Sequence, residues 1–365
     1  RIHPYGELPM FRITTRHQVR KIIAIILLTT FYATTAIAQA VLEEVVVTAQ
    51  KRAQNVNDIP ISIKAYTGEQ LRVLGVSSPE DMAQFTPGLT VNDTAATGVP
   101  LYTIRGVGFQ DYSTAASSTV GLYFDDLAIP YTVMSRGVVF DVERVEVLKG
   151  PQGDLYGRNT TAGQINFVSN KPTEEFEAGF SADYGRFDLL EVEGFVSGGL
   201  SENMQGRVAF KTSQSLGDGW QKSTTRDDTL GEKDATAVRG MLNVDFNEDV
   251  SLLLNIHYVQ DKSDNKAQTA YNGNIAGLGE FSSPYTPLED YIIPGGANFG
   301  QTPPWYSTGD NRAADWTNTY TSPQTGTTFD LRPQRDNELI GITGRLEWQI
   351  GDMTLTSITG YDDFE

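Results

Sequence analysis

Beyond Lys171-Pro172 the chain breaks into segments of roughly ten residues in which apolar and polar side chains alternate, and few folds satisfy that period. Successive side chains of a strand point to opposite faces, so alternation gives each segment one apolar and one polar face. Over 177–184, Ala178, Phe180, Ala182 and Tyr184 share a face and Glu177, Ser181 and Asp183 share the other. Leu190, Val192 and Val196 likewise oppose Glu191, Glu193 and Ser197, and Val208 and Phe210 oppose Arg207 and Lys211. Val238, Leu242, Val244 and Phe246 oppose Arg239, Asn243 and Asp245, and Leu252, Leu254, Ile256 and Tyr258 oppose Ser251, Asn255 and His257. Ile340, Ile342, Leu346, Trp348 and Ile350 oppose Thr343, Arg345, Glu347 and Gln349, and a seventh strand is predicted from Met353 to Tyr361. A transmembrane barrel has this texture, with its charges turned away from lipid. A soluble β-sandwich has it too, so the strands alone leave both architectures open.

The connections differ in length. Leu200–Asn203, Asn247–Asp249, the turn at Gly351-Asp352 and the link Gly185–Leu189 are short, whereas 217–235 and 261–337 are long. In a barrel, short turns belong to the periplasmic end and long loops to the outside, and the short first link does not sort cleanly. The longest loop carries Tyr271, Phe281, Tyr285, Tyr291, Phe299, Trp305, Tyr306, Trp316 and Tyr320, suited either to ligand capture or to packing the loop on itself.

Composition removes several classes of function. There is no cysteine, so disulfides, zinc-thiolate sites and thiol catalysis are excluded. Only three histidines occur, and two of them (His3, His17) precede residue 40; His257 is expected to face a lumen or the surface. The net charge of −18 repels nucleic acid rather than binding it. No apolar run approaches the roughly 20 residues of a membrane helix outside the N-terminal region. There, Met10 is the first plausible start, and 1–9 reads as an upstream extension. A basic stretch (Arg12, Arg16, Arg20, Lys21), an apolar run from Ile22 to Phe31 and small residues at Ala36, Ala38 and Ala40 follow, as in a secretory signal peptide over 10–40.

After this segment, Leu42 to Ala49 is a short β-prone stretch suited to adding a strand to another protein's sheet edge, or to serving as an ordinary first strand. Gln50 to Asn57 is polar and reads as a tether. Ile59 to Tyr66 alternates as a strand. Thr67-Gly68-Glu69-Gln70 has capping-box spacing for a helix to Leu74 stopped by Gly75, and Ser78-Pro79 opens a second helix ended by Pro87-Gly88. Strands fit at 89–92, 102–105 and 120–124. Arg144 to Asn170, RVEVLKGPQGDLYGRNTTAGQINFVSN, is a strand, a glycine-punctuated turn and a second strand.

That last stretch resembles the end of the plug domain of TonB-dependent outer-membrane receptors. Tyr102-Thr103-Ile104-Arg105-Gly106-Val107-Gly108 and Val120-Gly121-Leu122-Tyr123-Phe124-Asp125-Asp126 are similar to other plug motifs, so the resemblance runs in order from about Glu43 to Lys171. Asp154, Ala162 and Gln164 depart from the pattern, and Ala162 would be strained if its position needs a positive φ. The resemblance implies a transmembrane antiparallel β-barrel with an N-terminal mixed α/β plug. About seven of the 22 strands of such a barrel are present, which reads as an N-terminal fragment. Its divisions would be a tether with its box at 41–57, a plug at 58–171 and barrel strands at 172–365. It also implies that Glu43, Glu44, Val45, Val46, Val47, Thr48 and Ala49 form the TonB box that pairs with the energy-transducing complex.

On this reading the function is active import of a scarce solute across the outer membrane of a Gram-negative bacterium, foremost a ferric siderophore. Carbohydrate, cobalamin, haem and aromatic compounds are alternative solutes, and an exported soluble β-rich binding protein is the alternative class. No catalytic residue, metal ligand or cofactor is expected, since iron would arrive within its chelate. The partners are the TonB complex, outer-membrane lipid and the small-molecule ligand, with no nucleic acid. Ligand contact is expected at Asp111, Tyr112, Ser113 and Thr114, in a loop rich in Ser, Thr and Ala. Arg105, Arg144 and Arg158 with Glu143 and Glu146 are candidates for charge pairs that anchor plug to barrel. Asp125 and Asp126 read as solvated turn formers rather than an acid/base pair.

Overall fold

A computed structural model describes residues 46–48, 51–52, 54–94, 98–109, 117–223, 227–267, 312–314, 319–330 and 332–365. Two bodies of sheet make up this part. The first holds short strands: β1 (Val46–Val47), β2 (Gln54–Asn55), β3 (Ser62–Thr67), β4 (Leu89–Asp93), β5 (Pro100–Ile104), β6 (Val107–Gly108), β7 (Val120–Phe124), β8 (Leu127–Ala128), β9 (Val142–Lys149) and β10 (Gly163–Ser169). Helices α1 (Gly68–Val73), α2 (Pro79–Phe85) and the single turn α3 (Gly153–Tyr156) complete it. The second holds β11 (Glu177–Tyr184), β12 (Leu189–Ser201), β13 (Met204–Ser215), β14 (Gln221–Ser223), β15 (Thr229–Leu230), β16 (Asp234–Asn247), β17 (Val250–Asp261), β18 (Ala313–Ala314), β19 (Thr319–Thr321), β20 (Thr328–Asp330), β21 (Asn337–Ile350) and β22 (Met353–Phe364).

The plug's central sheet has the order β3-β9-β10-β7-β8. Its β10–β7 pair is parallel and β9 runs antiparallel to both of its neighbours. Val145 and Val147 of β9 pack with Ile165, Phe167, Tyr102, Ile104, Leu71 and Met82 in one core, so the helices cover that face. The helix starts follow their local chemistry. The Thr67 hydroxyl accepts from the Gln70 amide at 3.2 Å while the Gln70 side chain accepts from the Thr67 amide, and Gly75 takes φ 67° just beyond the helix. At α2, the Asp81 carboxylate accepts from the amides of Ser77 and Ser78.

The strain anticipated at Ala162 falls one residue later. Ala162 has an ordinary φ and is buried, whereas Gly163 sits at φ 152° where an added Cβ would strike the Leu148 carbonyl oxygen.

The second body is a seven-stranded antiparallel meander, β11-β12-β13-β16-β17-β21-β22. Its alternation sorts as the sequence implies. Val208, Phe210, Val238, Ile256, Ile340, Ile342 and Trp348 are exposed on the outer face. Arg207, Arg239, Asn255 and Thr343 are buried on the face that meets the plug. Strand parity also settles the first link. The tight turns β12–β13, β16–β17 and β21–β22 share one end of the meander. The β11–β12 link therefore lies at the other end with the two long loops, despite its length. Contacts agree: the Asp188 carbonyl accepts from the Leu216 amide at 2.9 Å, and the Arg312 guanidinium lies 4.8 Å from the Phe187 ring centre. The loops also pair with each other, Lys222 of β14 standing opposite Ala313 of β18.

Of the aromatic residues in the longest loop, Tyr271 through Trp316 lie outside the described residues, and Tyr320 is placed only by its backbone in β19.

Candidate functional site

The working parts meet where the plug touches the barrel wall and where the chain's first described strand returns to the plug. The seam with the wall begins as an apolar contact. Val133, Met134 and Phe140 of the plug pack with Ala209, Ala237, Val259 and Leu339, small or branched residues on inward positions of β13, β16, β17 and β21. Charge is then added inside this contact. The Asp141 carboxylate pairs with the Arg207 guanidinium through two hydrogen bonds, the Nε one at 2.8 Å, and both side chains are only 3–4% exposed. The Asp141 amide donates to Glu193 Oε1 of β12 at 2.8 Å, and Lys211 Nζ donates to the carbonyls of Ser77 and Val139. Arg239 is held between two plug rings, 4.5 Å from Phe124 and 4.4 Å from Phe140, and donates to the Phe140 carbonyl. His257 also faces inward, with Nε2 3.0 Å from Asp362.

The β7–β8 hairpin forms a second, more open contact. Its two-residue turn, Asp125-Asp126, has φ 46° and 69°, the left-handed pair that matches the twist of a two-residue hairpin. Leu127 fills the space left by Gly360 on β22, where a Cβ would collide with it. These carboxylates are not solvated turn formers, contrary to expectation, because the wall and the tether close over the turn. Asp125 accepts from the Ser169 amide and hydroxyl at 2.8 and 2.6 Å and from Asn255 at 3.4 Å. Asp126 accepts from Lys51 at 3.0 Å and from Arg345 of β21 at 2.7 Å. Burial opposes its ionisation, yet the two cations together hold this carboxyl below its ordinary value.

The third contact is the tether's. Among the expected box residues, Val46, Val47 and Thr48 are described; Glu43, Glu44, Val45 and Ala49 lie outside the described residues. Val46 and Val47 pair antiparallel with Asn55 and Gln54, so this part of the tether folds back on itself. Val47 is fully buried against Ile59 and Leu148. The Thr48 amide donates to Glu146 Oε1 at 2.8 Å, and Arg144 donates to the Thr48 hydroxyl at 3.1 Å. Lys51 lies 4.5 Å from the centre of the Tyr156 ring, whose hydroxyl burial pushes up to about 12, so the ring stays neutral.

This geometry redistributes the expected charge pairs. Arg144 bonds to Glu143 and, at 2.8 Å, to the fully buried Glu146, which also accepts from Asn166. All of these are plug residues, because β9 is an interior strand whose polar face is covered by the tether rather than by the wall. Arg105 and Arg158 are exposed and pair with no described residue. The cross-wall pairs fall instead on Asp141–Arg207 and Asp126–Arg345. Lone arginines at inward positions of alternating strands were the signal available for them. Asp111, Tyr112, Ser113 and Thr114 lie outside the described residues.

Comparison with known proteins agrees with this architecture. Residues 55–164 match the family model described as the TonB-dependent Receptor Plug Domain. The ferripyoverdine receptor of Pseudomonas aeruginosa is 27% identical over 224 residues, covering 58% of this chain and 25% of the relative. The ferrichrome outer membrane transporter/phage receptor of Escherichia coli is 25% identical over 166 residues, 41% of this chain and 21% of the relative. Among solved structures, the ferric yersiniabactin uptake receptor of Yersinia pestis shares the fold with a TM-score of 0.59 at 18% identity, covering 83% of this chain and 41% of that one. The closed form of a ferric-catecholate import receptor from E. coli gives 0.60 at 20% identity, with 85% and 38% covered. The chain thus spans about a quarter of the length of these two curated relatives. Residues 55–164 therefore form a TonB-dependent receptor plug domain, and the meander that follows shares its fold with the barrels of outer-membrane receptors.

Proposed function

We propose that this chain serves TonB-dependent active import of a scarce solute across the outer membrane, and that the solute is a ferric siderophore. The observation that carries the reading is the joint arrangement of a plug seated on the barrel wall and a β-prone segment parked on the plug's far sheet face. A solute bound at the loop end would favour release of this segment. Glu43 to Ala49 would then add a strand to the energy-transducing partner, and work applied through the tether would shift the plug from the wall. The side chains supply binding, sealing and transmission, and none has a chemical step to perform on the solute. Iron enters within its chelate and needs no protein ligand.

The relatives named for ferripyoverdine and ferrichrome support the iron reading. A vitamin B12 transporter of Photobacterium profundum, 23% identical over 193 residues, supports cobalamin as the second reading. Deletion of the gene, followed by growth and uptake assays on a panel of ferric chelates and on cobalamin, separates the two. The expected result is loss of one ferric chelate, with the same loss when only residues 43–49 are deleted. Normal uptake of every chelate would remove the siderophore assignment, and selective loss of cobalamin would replace it.

A further inference from the structure

Resting on that uptake reading, we propose that Asp126 is a shared latch that makes docking of the tether depend on barrel-wall strand β21. Its two carboxylate oxygens are divided between two bodies. Oδ1 takes Lys51 of the tether at 3.0 Å and Oδ2 takes Arg345 of β21 at 2.7 Å. Among the described residues, Asp126 is the only acid paired with Lys51. The Arg345 guanidinium is itself steered by Glu347 on the same strand at 2.8 Å, so its position follows the strand. The hairpin turn that carries Asp126 is held from the wall side by Leu127 against Gly360 and from the plug side by Asp125 on Ser169.

The location gives the latch its meaning. Strand β21 begins where the longest loop ends and carries Arg345 on its inward face, so a displacement of this strand is felt at Asp126. Lys51 follows the docked Val47 and Thr48 by a few residues, and its backbone at φ 58° turns the chain back through a hydrogen bond from its amide to the Thr48 carbonyl. A shift of β21 that draws Arg345 away leaves the Asp126 carboxylate free to swing, and Lys51 loses an oriented partner. The seat of Val47 then weakens without a contact between the described residues of the tether and the wall. Pairs exposed to this degree alter an equilibrium by up to about fivefold, enough to bias docking and small enough to reverse.

The chain contains no cysteine, so Val47→Cys places one reporter thiol in this segment, buried when docked. Its labelling rate by a maleimide added from the periplasmic side is measured on the full-length receptor in outer membranes. Lys51→Gln and Asp126→Asn should each raise the rate about threefold to fivefold. Arg345→Gln, at a residue that bonds to no described tether residue, should raise it by a similar factor, and the Lys51→Gln/Arg345→Gln pair should add little beyond Lys51→Gln alone. Arg345→Lys, which keeps the charge, should stay near the parent rate and so separates lost pairing from lost folding. A parent-like rate in Arg345→Gln, or full additivity in the double variant, would overturn the latch. The readout needs neither solute nor energy partner. Normal uptake of every solute beside a responsive labelling rate would sink the uptake reading and leave the latch standing, while the reverse pattern would sink the latch alone.

Discussion

Among the described residues, two carboxylate–guanidinium pairs cross from plug to wall, and they differ in how much water they see. Asp141 and Arg207 are 3–4% exposed and lie inside an apolar contact with every strong hydrogen bond internal. Asp126 and Arg345 are 21–27% exposed, and Asp126 divides its oxygens with a tether lysine that is 36% exposed. The chemistry is the same and the consequences are opposite. Breaking a buried pair strands a charge where it cannot be solvated, whereas a half-exposed pair can exchange its partner for water at little cost. The first pair is suited to hold the plug against the wall, the second to let go.

Substitutions can break or sharpen that contrast. The largest effect is expected at the buried pair: Arg207→Ala should destabilise the seated plug by about 3–5 kcal/mol. Protease release of plug fragments from the full-length receptor, or its denaturant midpoint in detergent, would register the change. Glu146→Ala comes next. It removes the acceptor for the Thr48 amide, Arg144 and Asn166 together, and should cost about 2–3 kcal/mol in plug stability while exposing the tether.

Acid gives a third test. Asp126 is held below its ordinary value by Lys51 on the tether and Arg345 on β21, so its contribution is complete above the ordinary carboxylate value of about 3.9 and is lost as pH falls through the lower folded value. The mobile fraction of a nitroxide attached at Val47→Cys should therefore stay constant from neutral pH down to about 4 and rise by up to about fivefold below it, and Asp126→Asn should remove the part of that rise due to Asp126. Smallest of all, Lys51→Gln should change global stability by no more than about 1 kcal/mol, within reach of a careful denaturant titration.

What the letters disclosed follows from where the determining forces lie. Thr67 with Gln70, Gly75, and the alternation of β16, β17 and β21 are local patterns, and the helices and strands appear where those patterns place them. The charge pairs were another matter. Arg144 and Glu146 looked like plug–wall anchors, yet β9 lies inside its sheet and a segment about a hundred residues earlier in the chain covers its polar face. Asp125 and Asp126 carried the composition of a solvated turn, and only the return of β17, β21 and the tether shields them in part from water. A turn's conformation can be read from its own residues, but its burial depends on chain far away. Arg207, Arg239 and Arg345 did leave a trace, as charges on the inward side of strands whose other side is apolar.

The contrast between anchor and latch reduces to two backbone amides. Thr48 donates to Glu146 in the tether dock, and Asp141 donates to Glu193 across the buried seam. Hydrogen exchange of the full-length receptor, compared between the parent and Asp126→Asn, follows both at once. The account predicts that peptides containing Thr48 lose protection while those containing Asp141 keep theirs. Equal loss at both positions, or no loss at either, would contradict it.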